Sequence, residues 1–427
     1  MELIPLLKDK RVLLGVTGGI AAYKACILAS HLTQAGAQID VVLTEAATRF
    51  VAPLTFEALT GRSAYTDMWR TSGPAPSGAE GGGLPTHISH VGLAHAADLL
   101  VIAPATANTL AKLATGLADN LLTTLALAAS CPVLAVPAMD VGMWTHPATQ
   151  ANVAALQARG VIFAGPVRGR MASGLEGESR MMEPDEILGH VRRVLGREGP
   201  LAGRGVVVTA GPTREPLDPV RFLSNPSSGR QGFALAQAAL DRGAAATLIT
   251  GPTHLPTPVG AQRVDVTTAQ EMCDAVISTV GLADVLLMAA AVADYRPTAA
   301  SPQKIKKRGK DLTLRMVRTP DILSAVAARR AGTGFPRVVV GLAAESEDLV
   351  ENARAKLTTK NLDLIIANDI TARDAGFGAE TNRVVILDRE GGVEELPLLS
   401  KSAVADTILD RLLPLLTDQP AKPAGAS

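Results

Sequence analysis

Two stretches of this chain give the same instruction. Arg11-Val-Leu-Leu-Gly15-Val-Thr-Gly18-Gly19 is an apolar run ending in a glycine turn, and an Ala-rich stretch from about Ile20 to Gly36 follows it. A second apolar run covers residues 39–44. Gly205-Val-Val-Val-Thr-Ala-Gly211 repeats the pattern, with a helix expected over 232–241, Gly243 as its stop, and a further run over 246–250. Strand, tight turn, helix, strand is the opening β-α-β unit of a doubly wound sheet. More buried strands are expected at 98–103, 132–136 and 161–164, and again at 284–288, 338–342, 362–367 and 383–387. Between the two sets, residues 196–205 (GREGPLAGRG) are polar and rich in Gly and Pro, which marks a boundary. The chain therefore reads as α/β, with two doubly wound, mainly parallel-sheet, Rossmann-like domains over residues 1–197 and 198–417. A flexible loop is expected at 71–85 and a disordered tail at 418–427.

Composition fits this class. Of 427 residues, 47% are hydrophobic but only 3% aromatic, so the cores rest on Ala, Val, Leu and Ile, as in parallel sheets covered by helices. The 41 basic and 41 acidic side chains leave a net charge of +0, which offers no general field for nucleic acid or an acidic membrane. No run reaches the roughly 18 apolar residues of a membrane span. Near the start, Lys8, Asp9, Lys10 and Arg11 interrupt any secretory apolar region. Cys26, Cys131 and Cys273 are too far apart for a disulfide framework or a CxxC metal site. The expected setting is cytoplasmic.

In the first domain, Gly15-x-Thr17-Gly18-Gly19 precedes a helix whose N–H groups and dipole favour a phosphate, although the same residues also suit a tight turn. The spacing is not GxGxxG. Thr44, with Glu45 after it, stands where a dinucleotide fold needs an acidic residue for the ribose. A mononucleotide is favoured, and an NAD-dependent dehydrogenase disfavoured. Pro104-Ala-Thr106-Ala-Asn108-Thr109 follows a strand, where ligands sit in open α/β sheets, but Thr106 is equally a helix N-cap. His90, with an ordinary pKa near ~6.5, can exchange protons at neutral pH, and six other histidines compete with it.

The run GVTGGIAAYK (15–24), the HxxLAxxAD pattern ending at Asp98, PATANT, GLADN and PAM together resemble the flavin-dependent cysteine decarboxylases, closest to phosphopantothenoylcysteine decarboxylase. The likeness covers about residues 8–190. It implies a flavodoxin-like flavoprotein domain with FMN held by Gly18, Gly19, Thr44, Thr106 and Asn108. It also implies His90 as the active-site base, and Asp140 and Arg180 at the substrate. The implied chemistry is flavin oxidation at the thiol-bearing carbon, loss of the carboxylate, and return of the electrons with protonation. The family's usual Asn after Pro-Ala-Met is Asp140 here, and an ionised Asp donates no hydrogen bond. Ser173 takes the place of the cysteine expected to donate the last proton, and is a poorer acid.

In the second domain, Gly211-Pro-Thr-Arg-Glu215 and 218–229 (DPVRFLSNPSSG) gather Arg214, Arg221, Asn225, Ser227 and Ser228 ahead of a helix. That is a polyanion site, unless it is only a long solvated loop. Ala289-Ala-Ala-Val-Ala-Asp294 ends a strand with one carboxylate, and Lys304-Ile-Lys306-Lys307-Arg308 is a basic run in a loop. Lys356 and Lys360, four residues apart, would share a helix face and straddle a triphosphate. No GxxxxGK[ST] loop exists. These motifs, with KxxxKNLDLIIAND, resemble phosphopantothenate–cysteine ligase over about residues 203–415. Pro226 and Leu342 depart from the family's usual residues.

That resemblance implies that CTP with Mg²⁺ activates 4′-phosphopantothenate as an acyl-cytidylate, which L-cysteine then attacks. It places Asn225 and Lys304 at the acyl-phosphate, Arg221 at the substrate, and Asp294, Lys304, Phe377, Lys356 and Lys360 at CTP. In this order the two domains look like the bifunctional coenzyme A biosynthesis enzymes, a homo-oligomeric family with trimeric flavin domains and dimeric ligase domains. The alternative is a ligase whose flavin domain is catalytically impaired and serves assembly.

Overall fold

A computed structural model of the chain describes residues 2–68, 89–170, 176–307, 312–345, 347–369 and 378–417. The loop expected at 71–85 and the tail at 418–427 lie outside them. The chain divides into two compact units, Met1–Leu195 and Gly196–Ser427. Each buried apolar cluster draws its residues from one unit alone.

The first unit holds β1 (Arg11–Val16), β2 (Gln38–Leu43), β3 (Ala64–Tyr65), β4 (Leu99–Ala105), β5 (Val133–Pro137) and β6 (Ile162–Phe163). They form one parallel sheet in the order β3-β2-β1-β4-β5-β6. Setting aside the two-residue β3, this is the strand order of a flavodoxin-like sheet. Alternate residues of β1 serve opposite faces. Val12, Leu14 and Val16 pack with α1 (Ala22–Gln34) and α9 (Pro184–Gly196), while Leu13 packs with α5 (Ala107–Thr115), α6 (Leu121–Ala128) and α8 (Pro147–Ala158). Three short helices, α2 (Glu45–Thr48), α3 (Pro53–Thr60) and α7 (Val141–Thr145), and α4 (Ser89–Ala96) complete the helices. The antiparallel pair β7 (Val167–Arg170) and β8 (Glu176–Arg180) lies outside the sheet.

The second unit contains β9 (Gly205–Ala210), β10 (Arg214–Pro216), β11 (Phe222–Ser224), β12 (Ala245–Thr250), β13 (Gln262–Asp265) and β14 (Val285–Met288). After them come β15 (Tyr295–Pro297), β16 (Met316–Arg318), β17 (Val338–Glu345), β18 (Leu364–Asp369), β19 (Thr381–Asn382), β20 (Val384–Asp388), β21 (Val393–Glu395) and β22 (Leu399–Ser400). Eight strands form a sheet in the order β13-β12-β9-β14-β17-β18-β20-β21. Its first six are parallel; β20 is antiparallel to β18, and β21 is antiparallel to β20. Only residues 389–392 join β20 to β21, too few for the crossover that a parallel pair needs. Helices α10 (Arg230–Asp241) and α14 (Lys401–Thr417) cover Val206 and Val208. The opposite face, with Val207 and Leu286, meets α11 (Ala269–Thr279), α12 (Ile322–Thr333) and α13 (Leu349–Thr359).

Both sheets use one device to fix the start of a strand. The N–H of Arg11 donates to Asp98 Oδ2 at 2.8 Å, that of Gly205 to Asp284 Oδ2 at 3.0 Å, and that of Val339 to Asp363 Oδ2 at 2.7 Å. Each aspartate sits at the entrance of the neighbouring strand and satisfies a donor the ladder leaves over.

Candidate functional sites

In the first unit, β1 and β4 are neighbours whose following helices pack on opposite faces, which opens a crevice at their carboxyl ends. Thr17, 1% exposed, staples the two ends: its hydroxyl donates to the Pro104 carbonyl at 2.6 Å and accepts from the Thr106 N–H at 3.2 Å. Gly18 passes so close to α2 that a β-carbon there would lie 2.4 Å from that of Ala46. Thr44 caps α2, accepting from the Ala47 N–H at 3.3 Å, and Thr106 caps α5, accepting from the Thr109 N–H at 3.4 Å. Thr106 therefore caps a helix and lines a cavity at once. That cavity, of about 1080 Å³, is lined by Gly18, Gly19, Thr44, Thr106, Asn108, Asp140 and Arg180, so the structure brings these expected residues together.

Asp140 caps α7, its Oδ1 accepting from the Gly142 N–H at 3.0 Å, a role that a carboxylate fills well. His90 falls on α4, but its side chain lies outside the described residues, as does Ser173 between β7 and β8. A charge chain behind Arg180 was not foreseen. Lys24 is 4% exposed, and its ammonium donates to the Met181 carbonyl at 3.0 Å and to Glu183 at 2.9 Å. Arg180 reaches the same Glu183 carboxylate at 2.6 Å. The Lys24 hydrogen bond is the main cause that holds Glu183 below the ordinary carboxylate pKa. Lys112 pairs with Asp119 at 2.6 Å on another wall, and Asn120 caps α6 in a capping box with Thr123.

In the second unit the loop after β14 forms the floor of a cavity of about 710 Å³. Its alanines have no polar side chains, so neighbours fix its backbone. Thr209, fully buried, accepts from the N–H groups of Ala289 and Ala290, each at 3.1 Å. Thr213 accepts from the Ala293 N–H at 3.0 Å, and Thr319 donates to the Ala293 carbonyl at 2.6 Å. Asn225 donates its amide to the Val292 carbonyl at 3.2 Å. Asp294 follows directly and lines the cavity with Asn225, Ser227, Ser228, Lys356 and Lys360. Lys360 lies just past α13, where it pairs with Asp321 and donates to Ser324 at 3.2 Å. Burial opposes the Asp321 charge, yet bonds from Lys360 and Ser324 bring its pKa below the ordinary value.

Lys304 and Arg221 do not line this cavity. Lys304 is exposed, and the residue after it is clamped. Asp218, 4% exposed, accepts from the Ile305 N–H at 3.0 Å and from Arg221 Nη2 at 2.7 Å, while Arg221 donates back to the Ile305 carbonyl. Against the cost of burial, the bonds from Ile305, Val220 and Arg221 hold Asp218 far below the ordinary carboxylate pKa. Arg221, expected at the substrate, holds the segment that carries Lys304. Phe377 lies outside the described residues.

Residues 5–196 match the family model described as Flavoprotein, and residues 201–415 match the DNA/pantothenate metabolism flavoprotein C-terminal domain. The Bacillus subtilis coenzyme A biosynthesis bifunctional protein CoaBC is 45% identical over 413 residues, covering 96% of this chain and 98% of its own. This chain belongs to the CoaBC family. Its Escherichia coli K12 relative is 42% identical over 410 residues, 95% of this chain and 97% of that one. The solved C-terminal domain of a CoaBC protein is 38% identical, with a TM-score of 0.44, over 52% of this chain and 100% of that domain. Among the described residues, each matched segment contains one of the two cavities above. Among the described residues, no group of three or more His, Cys, Asp and Glu side chains is arranged to hold a metal, and no helix is long and apolar enough to cross a membrane.

Proposed function

We propose that this chain joins L-cysteine to 4′-phosphopantothenate in residues 198–417, using CTP, and decarboxylates the product in residues 1–197, using FMN. The observation that carries the reading is the pair of polar-rimmed cavities, one per unit, in a chain that matches both domains of the family end to end. The glycine cradle fits a flavin phosphate: Gly18 and Gly19 line the cavity without side chains, and Thr44 and Thr106 stand in the same lining. When bound, the flavin would supply the two-electron oxidation and return of electrons that let the carboxylate leave. The chain's own residues then bind and move protons. His90 acts as base, Ser173 or a water takes the place of the usual acid, and Arg180 faces the substrate's negative charge.

In the ligase unit, Asn225 and Lys304 act on the acyl-phosphate, and Asp294, Phe377, Lys356 and Lys360 hold the nucleotide. Lysines stabilise the charge that develops as CMP leaves. Mg²⁺ enters on the CTP phosphates. Exposed Ile20, Tyr23, Ile27 and Leu54 support subunit contact in the flavin unit, and exposed Val220, Phe222, Leu223 and Tyr295 support it in the ligase unit. We read these as the trimer and dimer contacts of a cytoplasmic homo-oligomer. The test is direct: supply phosphopantothenate, cysteine and CTP to the purified protein and identify every product by mass. 4′-Phosphopantetheine with CMP is expected. Accumulation of phosphopantothenoylcysteine alone would favour the impaired flavin domain, and a product two hydrogens lighter would mean that the last reduction has been lost.

A further inference from the structure

One wall of the ligase cavity presents two hydrogen-bond acceptors with nothing to accept. Asn382 is 5% exposed and lines the cavity, and its Oδ1 is buried without a partner among the described residues. A relay of amides fixes which end of Asn382 is left over. The Lys401 carbonyl can only accept, so Gln231 turns its Nε2 to it, at 3.2 Å. Gln231 Oε1 then faces Asn382 and accepts from its Nδ2 at 2.9 Å. What Asn382 has left is an oxygen. Asn368, near the end of β18, lines the same cavity and leaves its own Oδ1 buried and unpartnered among the described residues. Strand register brings the two together. Asn368 stands opposite Val384, and Asn382 lies two residues from Val384, on the same side of an extended chain.

A buried acceptor without a partner forfeits the hydrogen bond it made with water, and a ligand that brings a donor restores it. Asparagine χ2 is a soft torsion, so a small turn presents the oxygen to the cavity. The position of the wall decides which donor. Val384 and Ile366 pack beneath α10 and α14, so both asparagines stand on that face of the sheet. Lys356 and Lys360, read above as nucleotide residues, lie on or just past α13, which packs on the opposite face. Ionised phosphate and carboxylate groups have no hydrogen to give. The α-ammonium of L-cysteine has three, but Lys401 shares this lining and sets a like charge beside it. The donors that remain are neutral ones, the secondary hydroxyl and the amide N–H in the middle of 4′-phosphopantothenate.

We propose that Asn382 and Asn368 receive a hydrogen-bond donor from the neutral chain of 4′-phosphopantothenate, its hydroxyl or its amide N–H, and so set which pantothenate-like acids the ligase accepts. The proposal rests on the ligase reading and adds two residues that reading does not use. An acceptor buried in this way rejects an analogue that lacks the donor, because its oxygen is then left unpaired.

The test compares full-length unaltered protein with Asn382→Leu and Asn368→Leu, in ligation assays that vary each substrate in turn. 4′-Phosphopantothenate is set against an analogue without the secondary hydroxyl and another with an ester oxygen in place of the amide N–H. The unaltered protein should use one analogue about tenfold less well by kcat/KM, the scale of one neutral hydrogen bond. Asn382→Leu should lose a similar factor with 4′-phosphopantothenate and no longer separate it from that analogue, while KM for CTP and for L-cysteine is unchanged. The analogue so affected tells hydroxyl from amide. Should Asn382→Leu unfold, Asn368→Leu carries the same comparison. Equal use of all three acids by the unaltered protein overturns the proposal without any variant. Discrimination that survives in both variants also overturns it, as does a rise confined to the KM of L-cysteine or CTP. If the unaltered protein released no CMP with 4′-phosphopantothenate, L-cysteine and CTP, the ligase reading itself would fall, whereas equal use of the three acids leaves that reading standing.

Discussion

Asp218 holds a peptide, not a ligand. It takes the Ile305 N–H, and Arg221, fixed by the same carboxylate, takes the Ile305 carbonyl. Asp218→Asn keeps the shape but weakens the grip on Arg221. Ligation should fall roughly tenfold or more, the cost of a charge-assisted bond, while CO₂ release from supplied phosphopantothenoylcysteine is unchanged. Separate assays of the two half-reactions check this. The sign of the pH effect follows from the depressed Asp218 pKa. Its stabilisation is complete above the unfolded value, about 3.9, and is lost as pH falls toward the lower folded value. The stability gap between unaltered protein and Asp218→Asn should therefore be flat at neutral pH and close on acidification, as read by denaturant titration. In the other unit, Lys24→Met should release Glu183 and with it Arg180. Decarboxylation should drop with a raised KM for the carboxylate substrate, and ligation should be spared. Lys24 shows why some of the site escaped the sequence. A lysine in an Ala-rich helix reads as a solvated position until the fold lays the chain near Glu183 over it.

At the scale of elements, the long strands were legible because each is a nearly unbroken apolar run buried on both faces, as in β4, Leu99–Ala105. Such a run carries no sign of direction, so the antiparallel setting of β20 was invisible in Val384-Val-Ile-Leu. The paired short strands β10–β11 and β15–β16 were missed for the opposite reason. Three residues, part exposed, show no period to read. The residues expected at the flavin line one cavity because they follow strand ends, where the doubly wound pattern itself places ligands. Lys304 shows the limit of that logic: its motif singles it out, but only tertiary contacts say what holds the segment that carries it. Gly18 offers a test at this scale. Gly18→Ala would put a methyl 2.4 Å from the β-carbon of Ala46 and push α2, with Thr44, off the cradle. Overpacking of this kind costs about 1–3 kcal/mol. Flavin content after purification, read by absorbance, should drop sharply while the ligase assay is unaffected.

For the whole molecule, two separate cores mean two separable fates. His90→Asn should stop CO₂ release and leave ligation intact, and Lys304→Gln should do the reverse while flavin stays bound. Loss of both activities in either variant would contradict that independence. Calorimetric melts should show two transitions, and added FMN should raise only one of them, since a ligand stabilises the unit that binds it.

The grip on Ile305 carries one more consequence. Bonds at both its N–H and its C=O hold residue 305 on either side of the α-carbon, so the side chains of Lys304 and Lys306 start from fixed anchor points. Both are exposed, and what is left to vary is mainly side-chain torsion. A charge tethered in this way gives up rotamer entropy, in place of loop entropy, when it meets an anion.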